Sequence, residues 1–222
     1  MKLVEQLDQG LSELNNPHSI QRQDMQDRVI QYLLLIEKWN KRYNLTAIKT
    51  IEGMLYQHIM DSLSVAAYMQ GPQIVDIGSG AGLPGIPLAI ARPDWQIVLV
   101  ESNHKKAAFL QQVKIELGLV NISIASVRVE SLTLKDRINS IISRAYASLG
   151  VFLKTTCHLV SAGDVQCRWI AMKGSCSDQE LKEVETPFYV ENKISLTVPG
   201  LMAKRELIII GRSTGSSDPD QG

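Results

Sequence analysis

A glycine-rich turn between a predicted strand and a predicted helix is the segment best suited to chemistry. It reads IVDIGSGAG over residues 74–82, with glycines at alternate positions after a short apolar run. Glycine allows tight turns and lets a ligand approach the main chain, and the following helix offers free N–H groups at its start. Glu101 ends the next predicted strand, where a carboxylate can accept both hydroxyls of a ribose. Together these features predict a nucleotide-cofactor site.

Two cofactor classes compete for this site. The stretch GAGLPG over residues 80–85 matches the dinucleotide fingerprint GxGxxG, which is a weak signal alone. Asp76 stands two residues before the first glycine, Gly78, as in enzymes that use S-adenosylmethionine. That cofactor carries a cationic amino group and no pyrophosphate, so Asp76 would attract it, directly or through water, and would repel a dinucleotide. The pattern favours S-adenosylmethionine; a dinucleotide, or a turn that binds no ligand, is the alternative.

The loop after the fourth predicted strand and the cysteines limit which atom would accept a methyl group. Exocyclic amino groups of bases are commonly held by a proline-containing loop, but residues 143–148 read SRAYAS. Carbon-5 of cytosine needs a cysteine nucleophile, often after a proline, and Cys157, Cys167 and Cys176 all lack that neighbour. Guanine N7 needs neither device, because its lone pair lies in the ring plane and carries no proton. Positioning can drive such a reaction, so this sequence is compatible with N7 chemistry.

The composition of the chain limits which classes of protein it can belong to. The chain has 222 residues, 45% of them hydrophobic and 21% charged, which is typical of a globular protein with its own core. The 23 basic residues balance the 23 acidic ones, so the total does not indicate a strongly basic nucleic-acid binder. We find no signal peptide, long apolar run or Cys/His cluster in the sequence. We therefore expect a cytoplasmic protein with reduced cysteines, no membrane span and no metal.

The elements around the turn predict an α/β fold. Residues 25–43 and 51–69 are predicted helices, so residues 1–70 would form a helical N-terminal extension. From residue 71 to 212 strands and helices alternate, which predicts a parallel sheet covered on both faces. The last two strands have no helix between them and should form a hairpin. The predicted strands are 73–76, 96–101, 121–125, 138–143, 167–172, 194–198 and 207–210, with helices at 86–91, 105–117 and 149–159.

The sequence also allows predictions for the C-terminal tail and for four polar residues of the extension. Residues 213–222 contain no apolar side chain, and we expect a disordered tail there. Four polar residues of the extension, Asn44, Thr46, His58 and Asp61, can be interpreted in two ways. They could be structural, with His58 and Asp61 hydrogen-bonded to each other one helical turn apart, or they could shape the acceptor pocket.

The chain resembles a bacterial family that methylates guanine N7 in the 16S RNA of the small ribosomal subunit, first named glucose-inhibited division protein B. The resemblance covers about residues 20–212, and its most specific part is GLPGIP at residues 82–87. The segments that carry it are Asn44–Ile48, His58–Leu63, Asp76–Leu88, Glu101–Ser102, Lys105–Leu110, Arg128–Glu130, Ser143–Ala145, Met172–Gly174 and Arg205.

This resemblance implies a Rossmann-like methyltransferase fold that depends on S-adenosylmethionine. The sheet would have seven strands, six parallel and one antiparallel near the edge. The turn from Gly78 through Gly80 to Leu83 would contact the methionine part of the cofactor, and Glu101 the ribose. The adenine would lie beside Val129 and Glu130. Val129 replaces the usual alanine, which a contact through its main-chain N–H would tolerate.

The resemblance also implies contacts with the substrate RNA. Arg144 would lie near the cofactor and the incoming base, and Lys173 and Arg205 match basic positions suited to RNA contact. Between Lys135 and Lys173 there are six basic residues and two acidic ones, a modest local excess that phosphates could use. The partner would be 16S rRNA, within the 30S particle or an assembly intermediate, bound by a monomer. The alternatives are an NAD-dependent oxidoreductase, a non-catalytic RNA-binding assembly factor and a small-molecule methyltransferase.

Overall fold

The computed structural model describes residues 2–14 and 22–214, and its seven strands form one sheet with helices on both faces. The strands are β1 (Gln73–Ile77), β2 (Gln96–Val100), β3 (Ile122–Ala125), β4 (Ser140–Arg144), β5 (Arg168–Lys173), β6 (Phe188–Ser195) and β7 (Glu206–Arg212). The α-helices are α1 (Lys2–Glu13), α2 (Arg22–Tyr43), α3 (Ile51–Met54), α4 (Asp61–Leu63), α5 (Gly85–Ala91), α6 (His104–Glu116), α7 (Leu149–Thr156) and α8 (Asp178–Leu181). A π-helix spans Leu55–Met60, and single 3₁₀ turns span Ala66–Tyr68, Val129–Ser131 and Cys157–Leu159.

Six strands of the sheet run in one direction and β7 runs against them. β1 pairs in parallel with β2 and β4, β2 with β3, and β4 with β5, whereas β7 is antiparallel to both β5 and β6. The strand order is β3-β2-β1-β4-β5-β7-β6, so β7 lies next to the edge. The predicted seven-stranded, mostly parallel sheet with a terminal hairpin is confirmed.

The order of strands reverses direction at β1. β2 and β3 extend the sheet on one side of β1, and β4 and β5 extend it on the other. The connections that leave β1 and β4 therefore diverge, and a crevice opens beyond the carboxyl ends of these two strands. Ligands of open α/β sheets bind in such a crevice.

Side chains alternate between two cores along β1, as the period of a strand requires. Ile74 belongs to the core that the sheet shares with α5 and α6, whereas Val75 and Ile77 belong to the core that it shares with α7. Asp76 projects to the same face as Ile74 and is fully buried against Gly85, the first residue of α5. A carboxylate thus occupies a position where the strand would otherwise place an apolar side chain.

The helices before residue 70 share the first core with the sheet. Val29 and Leu33 of α2 are fully buried in the same cluster as Phe109 of α6. The Tyr32 hydroxyl, also buried, donates a hydrogen bond of 2.6 Å to the carbonyl oxygen of Ala81 in the glycine-rich turn. Burial raises the pKa of Tyr32 well above its ordinary value, so the hydroxyl keeps the proton that it donates. The extension is thereby tied to the turn.

The predicted helix over residues 51–69 is not a single α-helix. It begins at Ile51 as predicted, and Thr50 caps it, because Thr50 Oγ1 accepts a hydrogen bond of 3.1 Å from the N–H of Gly53. From Leu55 to Met60 the chain is a π-helix, after which α4 adds less than one turn. The segment LYQHIM contains no glycine or proline that would reveal this change from the sequence. Such π segments occur frequently at functional sites.

The prediction for the sixth strand is wrong in its boundaries: β6 spans Phe188–Ser195 rather than residues 194–198. β6 is an edge strand, so exposed polar residues such as Glu191 and Lys193 are acceptable where an internal strand would need apolar ones. At the end of β7, the Ser213 N–H donates to the carbonyl of Pro187 at 2.8 Å. The remainder of the predicted tail, residues 215–222, lies outside the described residues. Over the described ranges, no helix has both the length and the apolar content to cross a membrane.

Replacing Tyr32 by phenylalanine should destabilise the protein by about 1–2 kcal/mol, because the buried carbonyl of Ala81 loses its donor. Urea denaturation followed by circular dichroism measures this change. Tyr68→Phe is the matched control: its side chain is 41% exposed, and we expect a change within about 0.5 kcal/mol. Equal losses in the two variants would show that the bond to the turn contributes nothing.

Candidate cofactor and acceptor sites

The glycine-rich turn lies at the carboxyl end of β1 and is fastened to the end of β2. The N–H groups of Gly78 and Ser79 both donate to the carbonyl of Val100, at 2.9 and 3.0 Å. Gly78 and Gly80 have φ values of +67° and +59°, which favour glycine over any residue with a side chain. A Cβ on Gly80 would meet a single atom within 4 Å, the Gly78 oxygen at 3.8 Å. The turn therefore leaves an open strip of main chain at this position.

Glu101 is held against the glycine-rich turn by its own carboxylate. Oε2 accepts from the N–H of Gly80 at 2.9 Å, and Oε1 accepts from the N–H of Asn103 at 2.8 Å. The residue is only 8% exposed. Because a carboxylate offers about four lone-pair sites, each oxygen retains capacity for a ribose hydroxyl. Glu101 therefore has a fixed orientation at the position from which the sequence predicts a contact with the ribose.

A cavity of about 150 Å³ adjoins Glu101 and is lined by four of the eight residues predicted to contact the cofactor: Gly78, Glu101, Val129 and Glu130. The 3₁₀ turn after β3 forms one wall, where Val129 is buried and Glu130 is exposed. Tyr146 covers Gly78 so closely that a Cβ on that glycine would come within 2.8 Å of the tyrosine ring. The lining residues are Ile77, Gly78, Val100, Glu101, Ser102, Val127, Arg128, Val129, Glu130 and Tyr146.

Asp76 is a fully buried carboxyl group beneath the turn, and it lines neither this cavity nor the second one described below. Its Oδ2 accepts from the N–H of Gly85 at 3.0 Å, whereas Oδ1 has no hydrogen-bond partner among residues 2–14 and 22–214. Burial raises the pKa of Asp76 to about 7, an effect that the Gly85 N–H and the positive charge of Arg144 partly offset. A buried carboxylate with an unused oxygen fits a cofactor that carries a cationic amino group. Leu83 is buried nearby, and its N–H is bonded to the Ser79 oxygen at 2.9 Å.

A second and larger cavity, of about 370 Å³, lies at the carboxyl ends of β4 and β5. One wall comes from the helical extension and the other from the strand ends, so this acceptor cavity is shared by the two parts of the chain. Its lining residues are Ile48, Gln57, His58, Asp61, Arg144, Ala145, Met172, Lys173, Gly174 and Arg205. No group of three or more His, Cys, Asp or Glu side chains within the described ranges is arranged to hold a metal ion.

The backbone at Ala145 separates the two cavities. Ala145 has a φ of +52°, a left-handed conformation that costs an alanine about 1–2 kcal/mol. Arg144, directly before Ala145, lines the acceptor cavity, and Tyr146, directly after it, lines the cavity beside Glu101, which we call the cofactor cavity. Strained residues of this kind persist where the surrounding structure enforces them, often at functional sites.

The charged centre of the acceptor cavity is Asp61, placed between two arginines. Its Oδ2 is 3.1 Å from Arg144 Nη1, and its Oδ1 is 2.9 Å from Arg205 Nε. Arg144 Nη1 also donates to the Gln57 carbonyl at 3.0 Å. The π-helix makes that carbonyl accessible, because the N–H of Asp61 bonds to the carbonyls of Tyr56 and His58 instead. Asp61 is 2% exposed, so both of its oxygens are satisfied by arginine alone.

His58 is bonded to Thr46 and not to Asp61, so the predicted His58–Asp61 hydrogen bond is wrong. Nε2 of His58 lies 2.8 Å from Thr46 Oγ1, which in turn accepts from the N–H of Ile48 at 3.1 Å. Each oxygen of Asp61 is bonded to an arginine, and the imidazole bonds to Thr46 instead. Burial, assisted by the charge of Arg144, lowers the pKa of His58 to about 4. The ring is therefore neutral at physiological pH.

Lys173 lines the acceptor cavity, but its charge is already paired. Nζ donates to the carbonyl of Ala147 at 2.5 Å and to Glu180 Oε1 at 2.7 Å, and its side chain is 15% exposed. Sequence reasoning missed Glu180, which also accepts from the N–H of Leu149 at the start of α7. It also missed Tyr146, although a residue directly after β4 is well placed to enter the crevice.

Solved structures resemble this chain in fold. Magnesium protoporphyrin IX methyltransferase from Synechocystis PCC 6803, crystallised with bound SAM, matches with a TM-score of 0.59 at 13% identity, over 82% of this chain and 97% of that one. A SAM-dependent methyltransferase from Aquifex aeolicus matches with a TM-score of 0.54 at 14% identity, over 72% and 93% of the two chains. At these identities the similarity establishes the fold, which is the predicted Rossmann-like methyltransferase fold.

Sequence comparison identifies the family. A family model described as "GidB: rRNA small subunit methyltransferase G" matches residues 25–209. The ribosomal RNA small subunit methyltransferase G of Nitrosomonas europaea is 46% identical over 215 residues, which cover 97% of this chain and 100% of the relative. The protein of the same name from Nitrosospira multiformis is 50% identical over 192 residues, 85% of this chain and 89% of the relative. The chain belongs to the family of small-subunit ribosomal RNA methyltransferases G.

Proposed function

We propose that this protein transfers a methyl group from S-adenosylmethionine to N7 of a guanine in 16S ribosomal RNA. The observation that carries the proposal is the placement of two cavities on either side of the loop after β4, in a chain of the methyltransferase G family. One cavity has the glycine-rich turn and carboxylates suited to the cofactor, and the other is lined by arginines and apolar residues suited to a base. Membership in this family favours methyl transfer over the hydride transfer of an NAD-dependent oxidoreductase.

When bound, S-adenosylmethionine supplies an electrophilic methyl group on a positively charged sulfur. The unused oxygen of Asp76 would hold its amino group, and Glu101 would hold its ribose. The strip of main chain at Gly78, Gly80 and Leu83 would contact its methionine part. Its adenine would lie between Val129 and Glu130 on the 3₁₀ turn after β3.

The ionisable groups of the acceptor cavity support N7 as the methyl acceptor. His58 is a poor base because burial lowers its pKa to about 4. Asp61 is ion-paired with two arginines, and Lys173 is paired with Glu180. The cavity thus offers no ready general base among its described residues, and N7 requires none. Catalysis would rest on positioning the base, with Arg144 as the residue nearest both sites, and on excluding water.

We also propose how the chain is organised and in which form it meets its RNA substrate. The helical extension, residues 1–70, completes the acceptor cavity through Gln57, His58 and Asp61, and residues 71–212 form the methyltransferase domain. The active unit that we propose is a cytoplasmic monomer. Lys173 and Arg205 would face the RNA. A neutral net charge suits a substrate already folded in the 30S particle or an assembly intermediate.

Methyl transfer from radiolabelled S-adenosylmethionine tests the function directly. The acceptors are 30S particles and naked 16S rRNA, both from cells that lack this protein, and the labelled RNA is digested to nucleosides. We expect the label in 7-methylguanosine. Label in another nucleoside would contradict the N7 assignment. A protein that binds the cofactor but labels neither RNA would be an assembly factor or a small-molecule methyltransferase.

Cofactor affinity should fall as the pH is lowered through 7, because the Asp76 carboxylate is protonated there. With a pKa of about 7 for this group, binding of S-adenosylhomocysteine, which has the same amino group, should be about tenfold weaker at pH 5.5 than at pH 7. Isothermal titration calorimetry measures the affinity. His58, with a pKa of about 4, changes its charge little over this range.

The Asp76→Asn variant is the control for this pH dependence. It keeps the shape of the side chain and an oxygen for the Gly85 N–H, but it cannot ionise. We expect weaker binding that changes little between pH 5.5 and pH 7. The same pH dependence in both proteins would assign the titration to another group and remove Asp76 from the cofactor's amino group.

A further inference from the structure

We propose that Asp61 is a positioning residue that holds Arg144 and Arg205 together as a clamp for one phosphate of the target RNA strand. This inference rests on the proposed function and deepens it. The clamp joins three parts of the chain: Asp61 begins α4 in the helical extension, Arg144 ends β4, and Arg205 directly precedes β7. All three residues line the acceptor cavity.

The geometry fixes both guanidinium groups through one carboxylate. Each oxygen of Asp61 binds a different arginine, at 3.1 Å for Arg144 and 2.9 Å for Arg205. The Asp61 side chain is 3% exposed, whereas those of Arg144 and Arg205 are 20% and 23% exposed. The carboxylate is therefore the buried anchor, and the two cations reach from it towards the cavity.

Each arginine keeps hydrogen-bond donors for a ligand. Arg144 uses Nη1 for Asp61 and the Gln57 carbonyl, and Arg205 uses Nε for Asp61 and Nη1 for the Lys204 carbonyl. Within residues 2–14 and 22–214, the Nη2 groups of these two arginines make no hydrogen bond. Guanidinium groups bind phosphate oxygens through such paired N–H donors.

The charge of the cluster favours a phosphate over a base. Two arginines and one aspartate leave one excess positive charge, and the remaining ionisable neighbours do not change it. Lys173 is neutralised by Glu180, and burial keeps His58 uncharged by lowering its pKa to about 4. A phosphodiester carries a single negative charge, which matches the excess. Guanine has no net charge and becomes cationic when N7 is methylated, so the excess charge favours the phosphate over the methylated base.

The test measures KM for unmethylated 30S particles, together with kcat and cofactor affinity, at several potassium chloride concentrations and constant magnesium. Arg205→Gln should raise KM by about tenfold, and it should reduce the slope of log KM against log salt by about 0.7, the contribution of one phosphate. Asp61→Asn keeps both arginines but releases them from each other, so KM should rise and the slope should fall in the same way. Cofactor affinity should be unchanged in Arg205→Gln.

Arg137→Gln is the matched control. Arg137 precedes β4 at the opposite end of the strand, its side chain is 58% exposed, and it pairs with Asp164. Removing this positive charge should leave the salt slope unchanged.

Each outcome decides between distinct explanations. An increased KM with an unchanged slope in Arg205→Gln would overturn the phosphate clamp and indicate a base contact or a structural role. A slope that falls in Arg205→Gln but not in Asp61→Asn would overturn the positioning role of Asp61. Absence of methyl transfer by the unmodified protein would overturn the proposed function and the clamp with it. If the unmodified protein is active and the variants keep its KM and salt slope, the clamp alone would be overturned.

Discussion

The arrangement of the acceptor site depends on one buried carboxylate shared by two arginines. A buried charge is costly unless ionic and hydrogen-bonding partners satisfy it, and Asp61 finds those partners at the end of β4 and directly before β7. These ion pairs join the helical extension to the carboxyl edge of the sheet, beside the hydrophobic core that the two parts share. The π-helix contributes by presenting the Gln57 carbonyl to Arg144, so a local irregularity of the helix is matched to a side chain from β4.

The loop after β4 organises the cofactor site as the carboxylate organises the acceptor site. It leaves the sheet where the strand order reverses, and the left-handed Ala145 directs its neighbours into different cavities. On the cofactor side, Tyr146 covers Gly78 while Glu101 holds the N–H of Gly80. The positive charge of Arg144 acts on both sides, because it influences the pKa values of Asp76 and His58 alike. The charge of Arg144 thus acts on a carboxyl group beneath the glycine-rich turn and on an imidazole of the second cavity.

Candidate residues for both sites could be named from the sequence, but the pairing of the acceptor-site residues could not be predicted. The turn and Glu101 follow directly after successive strands, so local patterns and sheet topology suffice to bring them together. Asp61 lies 83 positions from Arg144 and 144 from Arg205, and no local pattern specifies such pairs. The π-helix was missed for a related reason, since its deviation from α-geometry accompanies packing against distant residues. The pairing of Lys173 with Glu180 likewise needed the structure.

A double-mutant cycle between Asp61 and Arg144 measures whether the carboxylate acts on methyl transfer through the arginine. Methyl transfer to unmethylated 30S particles is measured for Asp61→Asn, Arg144→Gln and the double variant, and the kcat/KM ratios are converted to free energies. Because Asp61 acts through Arg144, we predict a coupling of at least about 1 kcal/mol, with the double variant less impaired than the sum of the single ones. Additivity within about 0.3–0.5 kcal/mol would contradict it.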